Sequence, residues 1–198
     1  PGIERVLAVV RSVPGQKHDK LSELVQRDLT ISRASWTNCR ATPRASFAPA
    51  FRRWTFEADY RHVTYDIAIV AAQTLVSRNA GMTFIFVSGA GTDATGKSRT
   101  MWARVKREAE NAILQLPFKG PHVFRPAFIR PMHAITSRTG SYRVLYAIMR
   151  PLVPLLDALF PRYSTTTERV GRAMLNVARH GAPKQVLETE DINASAES

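Results

Sequence analysis

The stretch MTFIFVSGAGTD, Met82 to Asp93, is an apolar run that ends in a serine and a glycine-rich break. MWARVKREAENAI, Met101 to Ile113, follows it with helical periodicity and carries one lysine, Lys106, with Trp102 one turn before it. Residues four apart share a helical face. Trp102 and Lys106 therefore lie on one face of that helix. Taken alone, Lys106 among Arg104, Arg107 and Glu110 reads as a solvated helix lysine. Ser88 with Gly89 and Gly91 imitates a nucleophile loop, but the sequence has no G-x-S-x-G pattern and no histidine placed to serve as base. Hydrolase chemistry is not expected.

The elements that must position these residues alternate. Val6 to Val10 and Thr83 to Val87 are continuous apolar runs of the kind a strand buried on both faces needs, and Ser22 to Val25 is a weaker third. Glu57 to Arg78 has helical spacing at Tyr60, Val63, Ile67, Val70, Ala71 and Thr74, and Asn79 to Gly81 ends it. A helix is expected over Thr100 to Leu116 and a short strand over His122 to Pro126. Tyr142 to Leu159 is apolar but interrupted by Pro151 and Pro154, which predicts two pieces with a kink. Thr166 or Thr167 can cap a last helix through Ala178, with Gly181 as its stop, and Lys184 to Glu188 suits an edge strand. Strands alternating with helices predict an α/β fold with a parallel sheet and helices on both faces. Residues 1–192 read as one domain and residues 193–198 as a mobile tail.

Composition bounds the function. The chain has 198 residues, 44% of them hydrophobic, enough for one proper core. Its formal net charge of +12 raises nucleic acid or an anionic surface as partner. A nucleic-acid module would interleave aromatics with basic residues on one face, whereas these arginines scatter, so no nucleic-acid partner is expected. A single cysteine, Cys39, excludes an intrachain disulfide and a thiolate zinc cluster, which fits a reducing, cytoplasmic setting. The five histidines, His18, His62, His122, His133 and His180, lack metal-ligand spacing and suit surface or helix-end positions.

Thr30 to Thr55 stands outside the alternation, with five arginines, no acid and no periodicity of either kind. So long a structureless loop is uncommon in a compact domain. Read in a shifted frame, the genetic code permits DFSSIVDQLSGY across Thr30 to Thr42, then ACFFC and GVSSVD up to Thr55, which is a helix followed by an apolar strand. The expectation is that this segment is translated out of frame and that its positive charges say nothing about function. Resequencing the gene decides this, and close relatives with the same arginine-rich text in one intact frame would exclude it.

FVSGAG, MWARVKREAENAI, FRPAFIRP, PRYSTTTERVGRAMLNVARHG and VLETEDI, in that order, resemble the atypical short-chain dehydrogenases of the NAD-dependent epimerase/dehydratase superfamily. The nearest branch resembles bacterial relatives of a Tat-interacting oxidoreductase-like protein. The resemblance runs from about Ile3 to Ile192, with a gap over residues 30–56. It implies a Rossmann-like fold binding NADP or NAD across the carboxyl ends of parallel strands. It also implies that the chain begins after the family's first strand and glycine-rich turn, so that pyrophosphate binding would be weak or absent. Arg11, past the strand Val6 to Val10, would then stand near the adenosine ribose, where a cation suits a 2′-phosphate; without the resemblance it is an exposed arginine. Asp28 matches a position near the adenine and otherwise reads as an ordinary surface aspartate. Pro126 and the backbone around Ala127 would approach the nicotinamide. Ser88 and Lys106 occupy the family's serine and lysine positions, and Trp102 occupies that of the catalytic tyrosine. An indole N–H donates a hydrogen bond but exchanges no proton near neutral pH. Lys106 is then a ribose-holding cation kept after the chemistry was lost or changed.

The resemblance leaves the small-molecule substrate open, and enzyme activity with it. A non-enzymatic, nucleotide-sensing protein is the first alternative. A second rests on LYAIMRPLVPLLDALFPRY, where Leu145 to Phe160, flanked by arginines, could lie at a membrane surface or meet a protein partner. Burial against the domain is the preferred reading of that segment.

Overall fold

The structure is a computed structural model that describes residues 3–4, 6–10, 18–25, 44–48, 56–92, 100–130, 132 and 161–197. Arg11, Asp28 and Leu145 to Phe160 lie outside the described residues. The strands are β1 (Val6–Val10), β2 (Leu21–Val25), β3 (Arg44–Phe47), β4 (Thr83–Val87), β5 (Gly120–Arg125), β6 (Phe128–Arg130), β7 (Ser164–Thr166) and β8 (Val186–Glu188). The helices are α1 (Glu57–Arg61), joined through one π-helical turn at His62–Asp66 to α2 (Ile67–Arg78), then α3 (Met101–Leu114), α4 (Thr167–His180) and α5 (Thr189–Glu197).

β4 explains the architecture. Its side chains alternate between two faces, yet Phe84, Ile85 and Phe86 are all buried. Phe84 and Phe86, with Val123 of β5, pack against Ala68, Ala71, Ala72 and Leu75 of α2 and Ala109 and Ile113 of α3. Ile85, Phe124 and Leu187 pack on the opposite face against Val170, Ala173 and Val177 of α4 and Ile192 and Ala196 of α5. A continuous apolar strand is thus the signature of a sheet covered on both sides. The fold is α/β and Rossmann-like, with helical layers on both faces of an all-parallel sheet ordered β3-β4-β5-β8.

β1 and β2 form a separate parallel ladder, from Val6 opposite Leu21 to Val10 opposite Val25. No ladder hydrogen bond joins it to the four-stranded sheet among the described residues, although Leu7 and Val9 pack on the same apolar cluster as Ala45 and Phe47 of β3. β6 and β7 make a third, short parallel pair.

Four expectations need correction. The segment Thr30 to Thr55 does contain a periodic stretch: Arg44–Phe47 alternates exposed and half-buried and pairs in parallel with β4, with Phe47 stacked on Phe86 at 6.2 Å. Four residues are too short for alternation to stand out among arginines. The inner face of the long helix is Tyr60, Thr64, Ile67, Ala68, Ala71, Ala72 and Leu75, with Val63, Val70 and Thr74 only half-buried. The buried positions keep the ordinary alternation of three- and four-residue steps across the π-helical turn, so the stripe runs through Thr64 beside Val63 and through Ala71 and Ala72 beside Val70. Residues 193–197 belong to α5 and are not a loose tail, because Ala196 is buried and Asn193 Nδ2 donates to the Ser164 carbonyl at 2.9 Å. His122, finally, is a core residue of β5, with Nδ1 3.3 Å from the Lys184 carbonyl oxygen; burial pulls its pKa down.

α4 is framed as its sequence predicts. Thr166 Oγ1 accepts from the Arg169 N–H at 3.1 Å, and Gly181 follows with φ 78° and ψ −170°, a conformation that L side chains rarely adopt. Gly181→Ala is expected to cost about 1–3 kcal/mol in chemical denaturation. Gly171→Ala, in the helix interior with open space around it, should instead stabilise by up to about 1 kcal/mol. Equal effects at the two positions would refute the assignment of the helix end.

Candidate functional site at the carboxyl ends of β4 and β5

β4 and β5 run in parallel and in register, from Thr83 opposite Gly120 to Val87 opposite Phe124. Beyond their carboxyl ends the two chains stay tied. Ser88 N–H donates to the Phe124 carbonyl at 2.7 Å and Ala90 N–H to that of Pro126 at 3.0 Å. The loop after β4 is thereby held open toward α3. Within it the Ser88 and Thr92 hydroxyls lie 3.3 Å apart, both residues buried, and Thr92 Oγ1 donates to the Gly89 carbonyl at 2.5 Å.

α3 delivers its side chains onto this loop. Lys106 Nζ donates to the Ser88 carbonyl at 2.7 Å. Gly89 makes room for Lys106, since a Cβ there would stand 3.2 Å from Nζ, whereas a Cβ on Gly91 would meet Trp102 Cη2 at an ordinary 3.5 Å and it is the φ of 81° that favours glycine there. The four-residue helical spacing of Trp102 and Lys106 thus meets the two-residue spacing of Gly91 and Gly89. Trp102 remains partly exposed. Burial lowers the Lys106 pKa from its usual 10.5 to about 8, against the attraction of Glu110 one turn away.

Glu110 was not singled out in the sequence, and it organises the floor beneath the site. It is fully buried on α3 and takes two hydrogen bonds from Arg125 of β5, Nε to Oε1 at 3.1 Å and Nη2 to Oε2. Arg107 approaches the same carboxylate at 3.4 Å, and Arg125 Nη1 reaches Glu188 of β8 at 3.0 Å. Hydrogen bonding to Glu110 raises the Arg125 pKa. The signal available in sequence was the arginine in HVFRP, since a cation in a two-sided buried strand requires a carboxylate opposite it.

The structure brings Ser88, Lys106 and Trp102 together around one loop and ties Pro126 to it. Ala127 is exposed, and its N–H donates to Thr189 Oγ1 at 2.9 Å, so that donor is engaged within the protein. Tyr65 packs on the first apolar cluster under the Arg61 guanidinium, and Asp66 faces His62, which are structural roles. No group of three potential metal ligands occurs among the described residues. No described helix is long and apolar enough to cross a membrane.

Fold and site together define an α/β protein of Rossmann-like architecture in which a basic side chain, Lys106, is bonded to the loop beyond the carboxyl ends of its central strands. No family model and no curated protein matches the chain.

Proposed function

We propose that the region beyond the carboxyl ends of β4 and β5 is a dinucleotide site of the short-chain dehydrogenase kind, for NADP or NAD, in which the nicotinamide–ribose end is held and the usual tyrosine acid is absent. The observation that carries the reading is Lys106 Nζ bonded to the Ser88 carbonyl beyond the carboxyl ends of two parallel central strands. Crevices at those ends are where open α/β sheets take ligands. Lys106 and Ser88 fit the ribose end of the cofactor, and glycine at 89 keeps a Cβ from crowding Nζ. When bound, the cofactor would supply or accept hydride. In the glycine-rich loop after β4 the Ser88 and Ala90 N–H groups already donate to the Phe124 and Pro126 carbonyls, so that loop has few amides to offer a pyrophosphate and affinity should be low. Trp102 offers an N–H donor but no proton to transfer, which favours an altered acid/base step or a nucleotide-sensing role over ordinary carbonyl reduction.

Titration with NADPH, followed by nicotinamide fluorescence, should give a weak enhancement that is lost in Lys106→Met. A Kd in the micromolar range would contradict the low affinity, and a signal indifferent to Lys106→Met would sink the site. Trp102→Tyr separates the two roles. Turnover of NADPH with small aldehydes gained in that variant indicates an enzyme lacking only its acid, and none indicates a sensor.

A further inference from the structure

Away from Lys106 and Ser88, β6, β7, α4 and α5 line an open cavity of about 920 Å³ that includes neither residue. Two cations at its wall are only loosely held. Arg162 Nε lies 3.8 Å from Glu190 and Arg169 Nη2 lies 3.9 Å from Glu197, both beyond the roughly 3.2 Å reach of an N–H···O hydrogen bond. Arg172, by contrast, is firmly paired with Glu168 at 2.6 Å. The amino terminus of α4, a 14-residue helix, opens on the same cavity through Thr166 and Arg169 and adds its partial positive charge.

Among the described residues, two polar atoms in the wall lack partners. Thr165, in the middle of β7, is 1% exposed, and its hydroxyl makes no hydrogen bond to any of them. Asn193 uses Nδ2 on the Ser164 carbonyl, which fixes the orientation of its amide and leaves Oδ1 buried without a donor. Orphaned buried groups of this kind are rare in native folds and mark places where something else completes the bonding. An anion alone would satisfy the arginines but not Asn193 Oδ1, which needs a donor. A ligand carrying both an anionic group and hydroxyls answers all four.

We infer that this cavity binds a small phosphorylated polyol, its phosphate between Arg162 and Arg169 at the start of α4 and its hydroxyls toward Asn193 Oδ1 and Thr165 Oγ1. Phosphate is favoured because paired guanidinium groups at a helix amino terminus match its several oxygens, with Glu190 and Glu197 free to swing aside. Isothermal titration calorimetry on the whole chain tests this with glucose 6-phosphate, glucose and inorganic phosphate as probes. Glucose 6-phosphate should bind saturably and more tightly than either of the others. Arg162→Gln with Arg169→Gln, both exposed in the protein, should weaken it by about tenfold or more. Thr165→Val should also weaken binding while leaving the melting temperature the same or higher, because the variant removes an unpaired buried hydroxyl. The inference fails if glucose 6-phosphate gives no saturable heat at millimolar concentration. It fails equally if inorganic phosphate binds as tightly, or if the arginine variants bind unchanged.

Discussion

Arg125→Met is expected to lower folding stability by about 3–5 kcal/mol, the usual cost of stranding one member of a buried ion pair. Methionine fills much of the arginine's volume, so the loss is electrostatic and not a cavity effect. What remains is Glu110, fully buried on α3, with its two strongest donors gone and only Arg107 at 3.4 Å. The same change frees Glu188 of β8, but that carboxylate is half exposed and water can take it over. Urea unfolding should therefore show a lower midpoint at an unchanged slope. Adding Glu110→Gln should return part of the loss, because a neutral amide is cheaper to bury than a carboxylate. A single variant within about 1 kcal/mol of the parent would mean that the Glu110–Arg125 pair does not tie α3 to the sheet.

The second large effect concerns the proton on Lys106. Reductive methylation with ¹³C-formaldehyde and titration by NMR should resolve one lysine signal with a midpoint at about 8, absent from Lys106→Arg. At pH 7 such a lysine is about one-tenth neutral, against well under a thousandth for an ordinary one. The stability consequence has a definite sign. The folded pKa lies below the unfolded value of 10.5, so between about pH 8 and 10.5 the unfolded chain holds the extra proton. Folding stability attributable to this residue therefore rises with pH through that window, and the cost of the buried charge is fully present below it. Lys106→Met should flatten the rise relative to the parent. A titration midpoint above 10 would show that Nζ is hydrated and that the contact with the Ser88 carbonyl does not exclude water.

What could be read from sequence followed the strength of local patterns. Thr83–Val87 was legible to the residue because five apolar residues bounded by Gly81 and Ser88 leave no other place for a buried strand. α3 was legible within two residues at its carboxyl end, whereas the meeting of Lys106 with the loop after β4 was expected only through the family resemblance, since spacing alone read Lys106 as a solvated lysine. β3 was hidden because its edge position needs only Ala45 and Phe47 to face inward, a pattern that short polar stretches produce by chance. α5 was hidden because small polar residues resemble a tail, and its burial depends on contacts with α4 that no local window contains. The Glu110–Arg125 pair is also non-local, although its two members each violated the apolar expectation of their own face. The cavity behind β7 could not be seen at all in a string where Thr165 and Asn193 are ordinary polar residues.

The split between the β1–β2 ladder and the four-stranded sheet has a mechanical consequence. Hydrogen bonds across a ladder hold neighbouring strands at about 4.8 Å, whereas interlocking methyl and methylene groups set no such repeat. Among the described residues the boundary at Leu7 and Val9 is made by side-chain packing alone, which fixes no strand repeat. Lys106, Ser88 and the arginine-locked floor all lie on the ladder-bonded side of it, where strand spacing is set by hydrogen bonds.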